Sequence, residues 1–273
     1  MNDGNGIEPK IAVIIPFFNE DGNVLPLAEE IRAIMRTVQR SYELILVDDG
    51  SSDATWERIR EAREQNPRVR GLRHQRNGGQ SAALWTGIRV ARASILVTMD
   101  GDRQNDPADL PKLLAELETC DFVCGVRAKR HDNWLRRVST KVARAARRRA
   151  LGVDFRDTGC AFRAFKRGAL EGVFPFNGVH RFLPVLVHAN GSQVREVPIG
   201  HRPRVAGISK YGLWNRLWRG IYDLMAIAWY QKRRLRTIPV SELAPSPTPP
   251  SQPAWEELEF TETAREFQPV EAQ

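Results

Sequence analysis

Four short, largely apolar runs, residues 11–15, 43–47, 69–74 and 95–99, alternate with three longer stretches, 24–39, 54–65 and 81–92, whose apolar residues recur every three to four positions. Apolar runs of about five residues fit strands buried on both faces, and the longer period fits amphipathic helices. The alternation predicts an α/β fold with a mostly parallel sheet and helices on both faces. Ser51, Ser52 and Asp53 are candidates to cap the second helix.

In open sheets of this kind ligands bind beyond the carboxyl ends of the strands, so the residues after each run carry the functional information. They are Pro16-Phe17-Phe18-Asn19-Glu20, Asp48-Asp49-Gly50-Ser51, Asn77-Gly78-Gly79 and Asp100-Gly101-Asp102. An extended Asp-x-Asp turns both carboxylates to one side. Two hard oxygen ligands suit Mg2+ or Mn2+ that keeps positions for water and a diphosphate, and such an ion neutralises charge on a departing nucleoside diphosphate. Alone, Asp-x-Asp is more often a solvated turn; its place after the fourth strand, beside other strand-end acids, favours a site. Asp48 and Asp49 offer acceptors for a base N–H or ribose hydroxyls, although one of them serves as well to organise the turn. Pro16 fixes the chain as it leaves the first strand, and Asn19 and Glu20 border the same crevice. Asn77-Gly78-Gly79 either lets backbone approach a ligand at a helix start or is a simple turn.

A chain of 273 residues accommodates one α/β core of roughly 200 residues with appendages. Hydrophobic content of 42% with 27% charged residues excludes wholesale disorder and a polytopic membrane protein. Cys120, Cys124 and Cys160 form no zinc-type pair of Cys-x-x-Cys units, and with no secretory leader in view they read as reduced cytosolic thiols packed as small hydrophobes. Residues 239–273 hold seven Glu and one Arg, so the preceding residues carry +14 although the whole chain carries +8. That field calls for an anionic partner: nucleic acid, anionic lipid or a phosphorylated substrate.

Past Cys124 the alternation weakens, giving a strand at 122–126, a basic helix at 134–151, shorter elements through Pro198 and a helix at 213–236. From Pro239 onward, seven Pro and seven Glu predict a flexible tail. Residues 127–149 contain ten Lys or Arg but only Trp134 as a stacking aromatic, and no nucleic-acid module accompanies them, which argues against nucleic acid. Within 213–236 the longest charge-free segment is 224–231, too short for a bilayer that needs about 20 apolar residues. Trp214, Trp218, Trp229 and Tyr230 among Arg and Lys fit a helix lying on anionic lipid; the competing reading is a helix docked on the catalytic domain or another subunit.

The strings Val13-Ile-Ile-Pro-Phe-Phe-Asn-Glu20, Val47-Asp-Asp-Gly-Ser-Ser-Asp53, Met99-Asp-Gly-Asp-Arg-Gln-Asn-Asp-Pro107 and Asp157-Thr-Gly-Cys-Ala-Phe-Arg163 together resemble glycosyltransferase family 2. Within it they are similar to the branch of dolichol-phosphate mannosyltransferase and bacterial polyprenyl-phosphate glycosyltransferases, over about residues 9–236. The resemblance implies a GT-A, Rossmann-like catalytic domain at 10–212 after a flexible 1–9, an amphipathic helix at 213–238 and a disordered acidic tail at 239–273. It implies that Pro16, Phe18, Glu20 and Asp49 hold the nucleoside of a UDP- or GDP-sugar, and that Asp100, Asp102 and Gln104 hold the metal and diphosphate. Arg127 would face the phosphates. Arg204, Ser209 and Lys210 match a mobile acceptor loop, and Arg181 in His180-Arg181-Phe182-Leu183-Pro184 would reach the acceptor. Asp157 would orient acceptor or sugar, unless it is spent on Arg156 or Arg163.

The implied acceptor is a polyprenyl phosphate, such as dolichyl or undecaprenyl phosphate. A phosphate monoester with a second pKa of about 6 is largely anionic at neutral pH, so inverting attack on the anomeric carbon needs no strong base. A family 2 enzyme acting on a sugar hydroxyl would need one, and a nucleotide-sugar-binding subunit would release no nucleoside diphosphate. Some relatives carry transmembrane helices after the catalytic domain; here association with the cytoplasmic face of the membrane is expected to be peripheral, or supplied by a membrane-protein partner.

Overall fold

Five strands follow the predicted runs, β1 (Ile11–Phe17), β2 (Tyr42–Asp48), β3 (Val69–Arg73), β4 (Ile95–Thr98) and β5 (Phe122–Arg127), and two more, β6 (Arg163–Lys166) and β7 (Val194–Ile199), lie where only shorter elements are expected. They form one sheet of order β3-β2-β1-β4-β6-β5-β7. β1, β2, β3 and β4 pair in parallel, as do β5 and β7; β6 alone is reversed, antiparallel to both β4 and β5. The computed structural model describes residues 9–127, 145, 148, 149, 151–203 and 213–233.

Alternate strand residues feed two cores. Ile11, Val13 and Ile15 of β1 and Leu44 and Leu46 of β2 pack beneath α1 (Asp21–Val38), α2 (Thr55–Gln65) and α4 (Leu110–Glu116). Their neighbours Ala12, Ile14, Ile45 and Val47 face α3 (Gln80–Val90) and α5 (Val179–Ala189) on the other side. Burial on both faces explains why these strands read as continuous apolar runs rather than as alternating ones. Phe122 and Phe165 stack across β5 and β6 at 4.8 Å, fixing the reversed strand in register. Cys120, Cys124 and Cys160 are buried free thiols; burial pushes the Cys160 thiol up to about 11.

Two expectations are refined by the structure. Residue Ala54, with no side-chain cap, precedes α2. Ser51 and Ser52 serve instead the junction between the first two strand ends, Ser51 Oγ accepting from Asn19 N–H and Ser52 N–H donating to Asn19 Oδ1, whereas Asp53 does hold the start of α2, accepting from the Thr55 N–H and hydroxyl. The C-terminal helix α6 (Leu213–Arg233) is present. It docks through Ile227, with Leu224, Ala228 and Tyr230 against the second core and the Tyr230 ring edge-on to Phe174. Among the described residues no helix is long and apolar enough to cross a membrane. The predicted basic helix at 134–151 lies mostly outside the described residues, though 145, 148, 149 and 151 are helical; residues 1–8 and the tail at 239–273 lie outside them as well.

Candidate active site

From β1 the chain builds outward to β2 and β3, then returns to add β4 on the other side. Such a reversal leaves a crevice at the carboxyl ends of the two central strands, here Pro16-Phe17 and Asp100-Gly101-Asp102. A Cβ on Gly101 would lie 2.5 Å from the Phe17 ring and 2.9 Å from the Pro16 carbonyl oxygen, so glycine is what lets the acidic loop rest against the end of β1. Gln80 Nε2 donates to Asp100 Oδ1 at 2.7 Å, and Gln104 N–H donates to Asp102 Oδ1 at 3.1 Å.

Burial, and then the Asp102 charge, push the Asp100 carboxyl from its ordinary 3.8 up to about 6; Arg163, Arg127 and the Gln80 amide pull the other way. Two adjoining carboxylates, one of which resists ionising, form a donor set suited to a hard divalent cation. Among the described residues no cluster of three or more His, Cys, Asp or Glu is present, so protein carboxylates would fill only part of such an ion's shell. Metal binding needs both carboxylates ionised. Mn2+ affinity is therefore expected to weaken as pH falls through about 6, approaching about tenfold per pH unit below it, measurable by calorimetry. The metal-free protein moves oppositely: folded Asp100 keeps its proton to a higher pH than the unfolded chain does, so this group's contribution to stability falls as pH rises from about 4 to about 6.

Both strand-end acids of β2 are spent on the protein itself, Asp49 the more completely: Asp48 Oδ2 is buried without a hydrogen bond. Asp48 accepts from Ser51 N–H and lies 3.2 Å from Arg73 Nε. Asp49 accepts four bonds, from His74 Nδ1, Asn77 Nδ2, Gly78 N–H and Gly79 N–H, at 2.7 to 3.0 Å. A carboxylate has about four lone-pair sites, so Asp49 is saturated in binding the Asn77–Gly79 turn. Neither reading of Asn77-Gly78-Gly79 anticipated this carboxylate anchor. Gly50, at φ +72°, lets the two loops touch, since a Cβ there would sit 2.7 Å from the Arg76 carbonyl carbon.

Arg127, at the end of β5, forms two parallel bonds to Asp157 at 2.7 and 2.8 Å. Asp157 therefore pairs with neither Arg156 nor Arg163, the partners weighed from sequence: Arg163 donates instead to the Thr158 carbonyl. Arg163 is 2% exposed, and its Nε has no hydrogen-bond partner. It lines a small cavity at the crevice floor with Pro16, Gln80, Thr98, Asp100 and His180. His180 is held by Ser81. The Ser81 hydroxyl accepts from Gly178 N–H and shares a 2.6 Å hydrogen bond with His180 Nδ1. Burial, then Arg181 and Arg163, hold the His180 pKa down to about 3, and the ring is neutral.

The sequence-predicted residues Pro16 and Asp48, in the last residues of β1 and β2, and Phe18, Asn19, Glu20, Asp49, Gly78, Asp100, Asp102 and Gln104, on the loops that follow the strands, thus lie at the carboxyl end of the parallel strands. Arg127 and Asp157 lie at the end of β5 and on the loop leading to β6, and Arg181 is in the first turn of α5. Arg204, Ser209 and Lys210 lie outside the described residues. The segment leading to them is pinned beside the acidic loop: Asn105 bridges His201, and Arg202 pairs with Glu30 and Asp106. Sequence reasoning missed Gln80 and Ser81 and weighed Arg163 only as a partner for Asp157. Gln80 and Ser81 follow the glycine turn at a helix start, a signal in plain view, whereas nothing in the string around Arg163 announces a buried cation.

Residues 12–174 match the family model for glycosyl transferase family 2. The chain is 36% identical over 233 residues to the dodecaprenyl-phosphate galacturonate synthase of Rhizobium johnstonii, covering 83% of this chain and 69% of that one. It is 33% identical over 236 residues to the undecaprenyl-phosphate 4-deoxy-4-formamido-L-arabinose transferase of Aeromonas hydrophila, covering 86% and 72%. Among solved structures it resembles a mannosyltransferase of Pyrobaculum calidifontis in complex with GDP-Man and Mn2+ (TM-score 0.55, 22% identity, 86% of this chain and 67% of that one). It also resembles glucosyl-3-phosphoglycerate synthase of Mycobacterium tuberculosis with Mn2+, UDP and glucosyl-3-phosphoglycerate (TM-score 0.59, 21% identity, 82% and 80%). The sheet, its switch-point crevice and the matched sequence agree: this chain has the GT-A fold and belongs to glycosyltransferase family 2.

Proposed function

We propose that this chain transfers a sugar from a UDP- or GDP-sugar to a polyprenyl phosphate, with inversion, at the cytoplasmic face of the membrane. The observation that carries the reading is the Asp100/Asp102 pair at the switch point, in a chain 36% and 33% identical to two transferases named for polyprenyl phosphates. Residues 10–212 form the catalytic domain in this reading.

Pro16, Phe18, Asn19, Glu20, Asp48 and Gly78 wall the nucleoside pocket, and Asp49 shapes it through the turn it anchors. Asp100, Asp102 and Gln104 hold Mg2+ or Mn2+, which when bound neutralises the leaving diphosphate. Arg127, its guanidinium plane fixed by Asp157, offers a preoriented cation to the phosphates. Arg181, Arg204, Ser209 and Lys210 receive the acceptor phosphate, whose own charge makes a protein base unnecessary. A membrane-protein partner remains compatible with this assignment.

The test mixes purified protein in detergent with undecaprenyl phosphate and a panel of labelled UDP- and GDP-sugars, with Mg2+, Mn2+ or EDTA. Metal-dependent label in the organic phase from one donor is the expected result. Binding of a nucleotide without organic-phase label would redirect the assignment to a hydroxyl acceptor or to a binding subunit.

A further inference from the structure

α6 has two faces. One is docked, through Ile227, Leu224, Ala228 and Tyr230. On the other, Tyr222, Met225 and Trp229 are 72%, 60% and 65% exposed. Spacings of three and four residues align them in one stripe, which Ala226, also exposed, widens and Lys232 and Arg233 continue to the helix end. Asp223 is the one carboxylate between 222 and 233, and it faces inward, its Oδ2 lying 2.9 Å from where a Gly178 Cβ would be. The exposed stripe therefore carries aromatic and aliphatic surface with two cations and no anion.

We propose that this stripe is a docking surface for an anionic lipid bilayer. Tyr and Trp, apolar in body and polar at the tip, suit the headgroup depth, and Lys232 and Arg233 suit anionic headgroups. A second copy of the chain fits less well, because two bodies each bearing the charge of a +8 chain would meet through faces of like sign. The location supports the same occupant. Asp223 abuts Gly178, Gly178 donates to Ser81, and the neighbouring Gln80 donates to Asp100, so the stripe begins a few residues from the crevice. Docking there sets the crevice beside the bilayer that holds the acceptor, a point that rests on the polyprenyl phosphate reading; the docking itself does not.

The experiment sediments full-length protein with vesicles of phosphatidylcholine alone or with added phosphatidylglycerol, all free of polyprenyl phosphate, and compares it with a Tyr222→Ser/Met225→Ser/Trp229→Ser variant. The expected result is binding to the anionic vesicles, weakened by high salt and reduced about tenfold or more in the variant. The variant should melt with wild type and retain turnover on a detergent-solubilised acceptor. Wild-type and variant protein binding anionic vesicles equally, or neither binding, would overturn the proposal. So would a dimer dispersed by the triple substitution, which would assign the stripe to a second copy. Vesicle binding with no transfer to polyprenyl phosphate would leave the docking surface standing and sink the acceptor assignment alone.

Discussion

Asp102→Asn is expected to lower kcat by about a thousandfold, the loss of several kcal/mol of charge stabilisation on a departing diphosphate. The fold should survive. Asp102 is only partly buried, and an asparagine oxygen can still accept from Gln104 N–H. Removing its charge also relieves Asp100, whose carboxyl is pushed up partly by Asp102, so the melting temperature should hold or rise slightly near neutral pH. Single-turnover assays beside thermal melts separate the two effects. Turnover within tenfold of wild type, or wild-type activity undiminished by EDTA, would overturn the metal assignment.

Asp49→Ala should fail in the opposite way. It strands the Gly78 and Gly79 N–H groups and frees the His74 and Asn77 side chains, in a place where the carboxylate is 3% exposed. Buried donors left without partners cost about 1–3 kcal/mol each, so the loss should be about 3 kcal/mol, or a fall of roughly 10 °C in Tm. Donor affinity should fall with it, because the turn facing the crevice loses its anchor. A variant with unchanged Tm but lost donor binding would show instead that Asp49 meets the nucleoside directly.

The contrast between these two acids marks how far the sequence can be read. The strands were legible because both faces of β1 and β2 are buried, and a doubly buried strand leaves a continuous apolar run. The strand-end motifs were legible because topology sends every such end to one crevice. Division of labour within the motifs was not. Asp49 and Asp100 look alike in the string, yet one is saturated by four donors and the other sits beside a second carboxylate with a raised pKa. Those differences are set by residues 25 to 30 positions away, such as His74 and Gly79, through contacts no local pattern encodes. Arg163 was hidden for a related reason: a charged residue at a strand start normally faces water, and only the reversal of β6 turns it beneath Asp100. The Asp157 partner was misjudged because adjacency in sequence was a poor guide across a strand end.

That reversal has an evolutionary consequence. β5 ends, and β6 begins, at the same edge of the sheet, with Cys124 opposite Arg163. The chain leaves the sheet after Arg127 and re-enters it at Arg163, at the rim of the crevice both times. Such an excursion can be lengthened, trimmed or exchanged between relatives while every strand keeps its register and the acids of β2 and β4 stay where they are. Among the described residues of that excursion, Asp157 has a fixed duty: it must return to the rim to hold the Arg127 guanidinium in plane.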